Sequence, residues 1–265
     1  IYFNDTNKHV VCFINGSTGN FSIMTLVVDI ASDGTATAGA LNTVVTRSGG
    51  TGLNAERGEI CNGHETGYPY LVFYIKSNSD QLQWRDGTIN TATNGTTSGG
   101  GGNCLGPCSS RMRDGMYCLS YMENTRNTIM CRDNGSPTWY YNTRISGGWK
   151  TSTAFSPTGI SAITMFYDST SAKIFAFYTE SGTLKFKTGD PNTASTGGGI
   201  TGWSSATDIR TTVNGWYGNH PIVEYDTKNS KYWLMLSEDS PAQKTWLWGF
   251  TIASNAAITR DGSLK

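Results

Sequence analysis

Five times along the chain an apolar run stops at a polar turn and resumes as a second apolar run. VVCFINGSTGNFSIMTLVVD begins at Val10, YLVFYIKSNSDQLQWRDG at Tyr70 and YCLSYMENTRNTIMCRDNG at Tyr117. IFAFYTESGTLKFKTGD follows at Ile174 and YWLMLSEDSPAQKTWLWGF at Tyr232. The starts are about 47 to 60 residues apart, a period that suits one supersecondary unit repeated around a core. Apolar and polar positions alternate, β-branched and aromatic residues are enriched, and no stretch sustains a helical period. The chain therefore reads as all-β.

Two units carry a clear strand ahead of the hairpin, ISAITMFYD (160–168) and HPIVEYD (220–226), and IYFND (1–5) is the same element at the N-terminus. All three end in Asp before a short turn. GEICN (58–62) and SRMRDG (110–115) fill that place in the other units. A fourth strand recurs too. GWKTSTAF (148–155) and GWSSATDI (202–209) both open on Gly-Trp, while ATAGALNTVV (36–45) and ASNAAIT (253–259) fill the place elsewhere. Each unit then holds four antiparallel strands, A to D from inside outward, and five such units predict a five-bladed β-propeller. The blades are expected over roughly 1–47, 54–97, 108–155, 159–211 and 219–262 of a single domain, 1–265. A two-sheet sandwich is the competing architecture, but it gives no reason for five similar hairpins. SGGTG (48–52), SGGGGN (98–103) and STGGGITG (195–202) fall between repeats, where blade-to-blade loops turn sharply through positive φ.

Composition narrows the partners. The chain has 265 residues, enough for a large core, and no apolar stretch of membrane-spanning length, so no membrane insertion is expected. Charged residues are only 15% of the chain and the net charge is zero, which removes the electrostatic basis for nucleic-acid binding. Solubility falls to Gly, Ser, Thr and Asn, a composition associated with exposed extracellular domains. Ile1 opens directly on a strand-like run, as a mature form or a domain of a longer fibre or surface protein would.

The six cysteines, Cys12, Cys61, Cys104, Cys108, Cys118 and Cys131, lie in the first half of the chain. With Asn124 and Thr125 central to the hairpin, Cys118 and Cys131 would sit opposite each other, and a cross-strand disulfide is expected there. Cys104 and Cys108 could close a small ring in a Gly-rich loop, and the pairing of Cys12 and Cys61 stays open. Disulfides of this kind imply an oxidising compartment; reduced, buried thiols are the alternative.

Asp and Gly recur where a turn after strand C is expected, in ASDGTAT (31–37), RDGT (85–88) and RDNGSPTW (132–139). The last resembles the Asp-box of sialidase-like (BNR) propellers, with one extra residue between Gly135 and Trp139 and with Cys131 in place of Ser or Thr. PIVEYDTKNSKYWLML also resembles the blades of five-bladed glycoside hydrolases of the arabinanase and fructosidase type. These resemblances imply a propeller fold. They do not carry sialidase activity over, because that apparatus belongs to six blades and its arginine triad has no counterpart here.

Ligand sites on propellers collect at the starts of A strands and in the loops that lead into them. NGWYGNH (214–220) places Trp216, Tyr217, Asn219 and His220 in one loop, with aromatic faces for sugar C–H patches and polar groups for hydroxyls. Arg57, His64, Arg111 and Arg113 are further candidates for ligand binding. Trp149 and Trp203 repeat in step and read as packing residues, as do Trp84, Trp246 and Trp248. A hydrolase would need two facing carboxylates, and Glu59 with Glu224 or Asp114 is the pair available; the competing role for these acids is ion pairing with arginine. His9, His64 and His220 lie in different units without metal-ligand spacing, so neither a metal nor a cofactor is expected. The sequence thus points to an extracellular, lectin-like or adhesin module that recognises a glycan or another cell-surface ligand. A glycoside hydrolase is the first alternative and a protein–protein interaction propeller the second.

Overall fold

The structure, a computed structural model, describes residues 2–3, 8–17, 20–46, 58–65, 68–76, 81–90, 94–103, 112–121, 126–133, 138–145, 148–149, 153–156, 159–191, 199–210, 221–238 and 244–262. Every regular element among them is a strand. The first sheet holds β1 (Tyr2–Phe3), β2 (Lys8–Ser17), β3 (Asn20–Ile30), β4 (Ala36–Ala38) and β5 (Asn42–Thr46). The second holds β6 (Gly58–Glu65), β7 (Tyr68–Lys76), β8 (Gln81–Asn90) and β9 (Gly95–Asn103). The third is built from β10 (Met112–Tyr121), β11 (Arg126–Asp133), β12 (Trp139–Ile145), β13 (Gly148–Trp149) and β14 (Thr153–Phe155). The fourth contains β15 (Ile160–Asp168), β16 (Lys173–Glu180), β17 (Thr183–Pro191), β18 (Ile200–Thr201) and β19 (Thr207–Arg210). β20 (Ile222–Asp226), β21 (Lys231–Glu238), β22 (Lys244–Ile252) and β23 (Ile258–Arg260) make the fifth. Five antiparallel meanders of this kind are the blades of a five-bladed β-propeller. In three of the sheets the outermost strand is broken into two short pieces.

The chain divides into two compact units, residues 1–134 with 140–153 and residues 135–139 with 154–265. In the first unit, Val10, Ile23, Val44, Tyr70, Val72 and Tyr74 form a buried cluster. Arg144 and Asp86, both almost fully buried there, pair at 3.0 Å, and the guanidinium lies 3.8 Å from the centre of the Trp84 ring. Trp149 packs against the same Trp84 at 6.3 Å, as its repeat position predicts.

In the second unit, Phe175, Phe177, Leu184, Tyr232, Leu234, Leu236, Trp248 and Phe250 close a core between the fourth and fifth sheets. β16 is buried on both faces, so IFAFYT reads as a continuous apolar run. β21 alternates instead, with Leu234 and Leu236 inside and Met235 exposed. Trp203 packs edge-on against Phe155 at 4.9 Å, and Trp248 is core. Trp246 is only half-buried and lies beneath the Arg210 guanidinium.

Four expectations are corrected. SGGGGN (98–103) is not a loop: it lies in β9, paired to β8. The backbones approach so closely that a Cβ on Gly101 would lie 2.7 Å from the Trp84 carbonyl oxygen, so the glycines admit the strand rather than break it. RDGT (85–88) lies inside β8, and Arg132 and Asp133 of RDNGSPTW end the second strand of their sheet, not the third. The YCLSYMENTRNTIMCRDNG hairpin supplies the first and second strands of its sheet, β10 and β11. Finally, Cys118 is paired with Ile129, and Cys131 with Met116. This register sets the two cysteines diagonally rather than opposite each other, and their side chains lie outside what is described. No disulfide forms among the described residues, and Cys104 and Cys108 lie outside them.

Candidate ligand-binding cleft

The Asp that ends each clear A strand has a local task. Asp226 accepts hydrogen bonds from the backbone N–H groups of Lys228 and Asn229, at 3.0 and 3.2 Å, and from the Asn229 side chain at 2.7 Å. These bonds, the side-chain one foremost, hold its carboxyl below the usual range. Asp168 does the same for its own turn, accepting from the Ser171 N–H at 2.7 Å and the Ser171 hydroxyl at 2.6 Å. A short acceptor side chain at this point satisfies backbone donors that the strand ladder has left behind.

Asp168 differs from Asp226 in being buried. Its second oxygen accepts a 2.8 Å bond from the Tyr232 hydroxyl, which ties the end of β15 to the start of β21. Burial, and then the bond to Asp168, raise the Tyr232 phenol above its ordinary pKa. Phe166, two residues earlier on the same face of β15, sits 4.7 Å from the Tyr232 ring. Tyr225 lies opposite Tyr232 in the register of β20 and β21, also with ring centroids 4.7 Å apart. Tyr225 is 49% exposed.

These side chains enclose a cleft of about 350 Å³ between the innermost strands of the fourth and fifth sheets, completed by Ser169, Thr170 and Val223. It opens where the A strands pass into the B strands. Aromatic rings, hydroxyls and the Asp168 carboxylate all line it. Such a lining can stack on an apolar face and hydrogen-bond the groups around it, as sites for polar small ligands do.

The residues singled out from sequence stand differently. Trp216, Tyr217, Asn219, His220, Arg57 and Arg111 lie outside the described residues. Glu59 and His64 belong to β6, and Arg113 and Asp114 to β10, but their side chains also lie outside what is described. β6 and β10 are neighbours, so the strands carrying Glu59 and Asp114 come together. Glu224 is exposed on β20, where it neighbours Tyr225 and lines the same cleft as Asp168. Among the described residues no group of His, Cys, Asp or Glu is arranged to hold a metal ion.

Sequence reasoning missed Asp168, Tyr225 and Tyr232 as site residues. The signal was present in the repeated strand-final Asp, with Tyr225 immediately before one of them, but it was attached to the turns alone.

No family model matches the chain, and no curated protein matches it. Among solved structures, a mutant of AofleA from Arthrobotrys oligospora superimposes with a TM-score of 0.56 at 9% identity, covering 97% of this chain and 74% of that one. An auxiliary nutrient binding protein from Bacteroides ovatus aligns with a TM-score of 0.44 at 10% identity, covering 97% of this chain and 65% of that one. At such identity the likeness to AofleA is one of fold.

Proposed function

We propose that the chain is a glycan-binding module, lectin-like in action, that works at an extracellular or cell surface as an adhesin or as part of a larger fibre. The observation that carries this reading is the half-exposed Tyr225 ring at the mouth of a cleft edged by Ser169, Thr170 and Asp168. A pyranose offers the matching surface, a patch of C–H groups ringed by hydroxyls. The loop at 214–220, with Trp216, Tyr217, Asn219 and His220, and the side chains of Arg57, His64, Arg111 and Arg113, are proposed as further ligand contacts.

A glycan array read beside substrate depletion tests the reading. Retention of one glycan class without turnover is the expected result; turnover would select the hydrolase built on Glu59 with Asp114 or Glu224. Silence on both would overturn the proposal in favour of a protein partner. Tyr225→Ala should lower retention at least tenfold while the far-ultraviolet spectrum and thermal midpoint stay close to those of the parent. Trp216→Ala tests the loop in the same assay.

A further inference from the structure

Resting on the reading of the cleft as a glycan site, we infer that its preferred ligand carries a protonated amine, as a deacetylated amino sugar does. The charges around the cleft point this way. Asp168 and Glu224 are the charged residues that line it, and no Lys or Arg does. The lysines that face the two strand-final aspartates in the register are committed elsewhere. Lys173, which faces Asp168 in the strand register, bonds Asp190; Lys231, which faces Asp226, bonds Asp261.

Asp168 is 3% exposed, and its described partners are neutral donors: the Ser171 N–H, the Ser171 hydroxyl and the Tyr232 hydroxyl. A buried carboxylate without a counter-ion favours any cation that can approach it. Tyr225, Tyr232 and Phe166 line the same cleft, and ring faces are the negative side of the aromatic quadrupole. Glu224, beside Tyr225 on β20, adds to the negative potential of the cleft. An ammonium group in the cleft is attracted by both the carboxylate and the rings. A sialic-acid or uronate carboxylate would meet like charge instead and be rejected.

The experiment compares three probes on the full chain by calorimetry: a glucosamine trisaccharide, its fully N-acetylated counterpart, and a trisaccharide of uronic acid. The glucosamine probe should bind at least tenfold more tightly than the acetylated one, with an advantage that shrinks as salt is raised, and the uronic-acid probe should not bind. Tyr225→Ala should abolish the preference. Tyr225→Phe, which keeps the ring, should retain it and guards against a folding artefact. Equal affinity for the free and acetylated sugars would overturn the ammonium inference and leave the glycan reading standing. Failure of all three probes, together with a silent glycan array, would remove both. A preference that survives Tyr225→Ala places the amine elsewhere and overturns the assignment to this cleft.

Discussion

Tyr232 and Tyr178 are both buried tyrosines of the second unit, yet losing the hydroxyl should have opposite effects at the two positions. Tyr232 donates to Asp168, so Tyr232→Phe leaves a carboxylate at 3% exposure one donor short. The expected cost is about 1–3 kcal/mol, seen as a lower urea midpoint at unchanged slope. The Tyr178 hydroxyl is buried without a hydrogen-bond partner among the described residues. Tyr178→Phe removes a group that was desolvated without compensation and should raise stability by about 1 kcal/mol, measured in the same titration. One atom is deleted in each case, and what surrounds it decides the sign.

At the scale of elements, a two-residue turn joins β16 to β17 through Ser181 and Gly182, both at positive φ, 48° and 74°. Two central residues in this conformation make a type I′ turn, whose twist matches that of the flanking strands. Gly182 meets the requirement without strain, but Ser181 carries a Cβ into the left-handed region. Ser181→Asn should therefore stabilise the protein by about 0.5–1 kcal/mol, with a higher thermal midpoint as the readout. This hairpin was legible in sequence because ESGT stands between the continuous apolar run IFAFYT and the alternating run TLKFKT. Other elements were not. The glycine run in β9 looks like a loop to any rule based on propensity, and only the close approach of Trp84 explains it. The Cys118–Cys131 hairpin was legible as a hairpin, but its register was not: placing the turn at Asn124–Thr125 moves the pairing by two residues while keeping the same faces, so alternation cannot reveal the error.

For the whole molecule, the repeat of five hairpins was enough to give the architecture, because each blade leaves its mark within one contiguous stretch. The cleft was harder to see. It is made by residues such as Asp168, Tyr225 and Tyr232, whose meeting depends on how two neighbouring sheets pack, and no local pattern records that. The same packing sets the response to alkali. Tyr70, Tyr178 and Tyr232 all have their phenols raised, chiefly by burial. In the unfolded chain these groups ionise near pH ~10, while in the folded protein they stay neutral beyond it. Their contribution to stability is therefore complete below about pH 10 and is lost as the pH climbs through the folded values. Urea midpoints should stay level between mildly alkaline conditions and that point, then fall steeply. Tyrosinate absorbance from these three residues should appear together with unfolding; its appearance beforehand would show that they are open to solvent.

The sequential pairing within each sheet has a further consequence for how the protein is made. In all five sheets each described strand pairs with strands from the same short stretch of chain, so no strand waits for a distant segment to be synthesised. As the polypeptide leaves the ribosome, one blade's backbone can be satisfied before the next begins, and unpaired edges are exposed only briefly to other nascent chains. Arrest of translation far enough past Arg210 for that residue to have left the ribosome should thus yield a nascent chain in which the fourth sheet already resists protease, while the part of the fifth sheet already made is still cut.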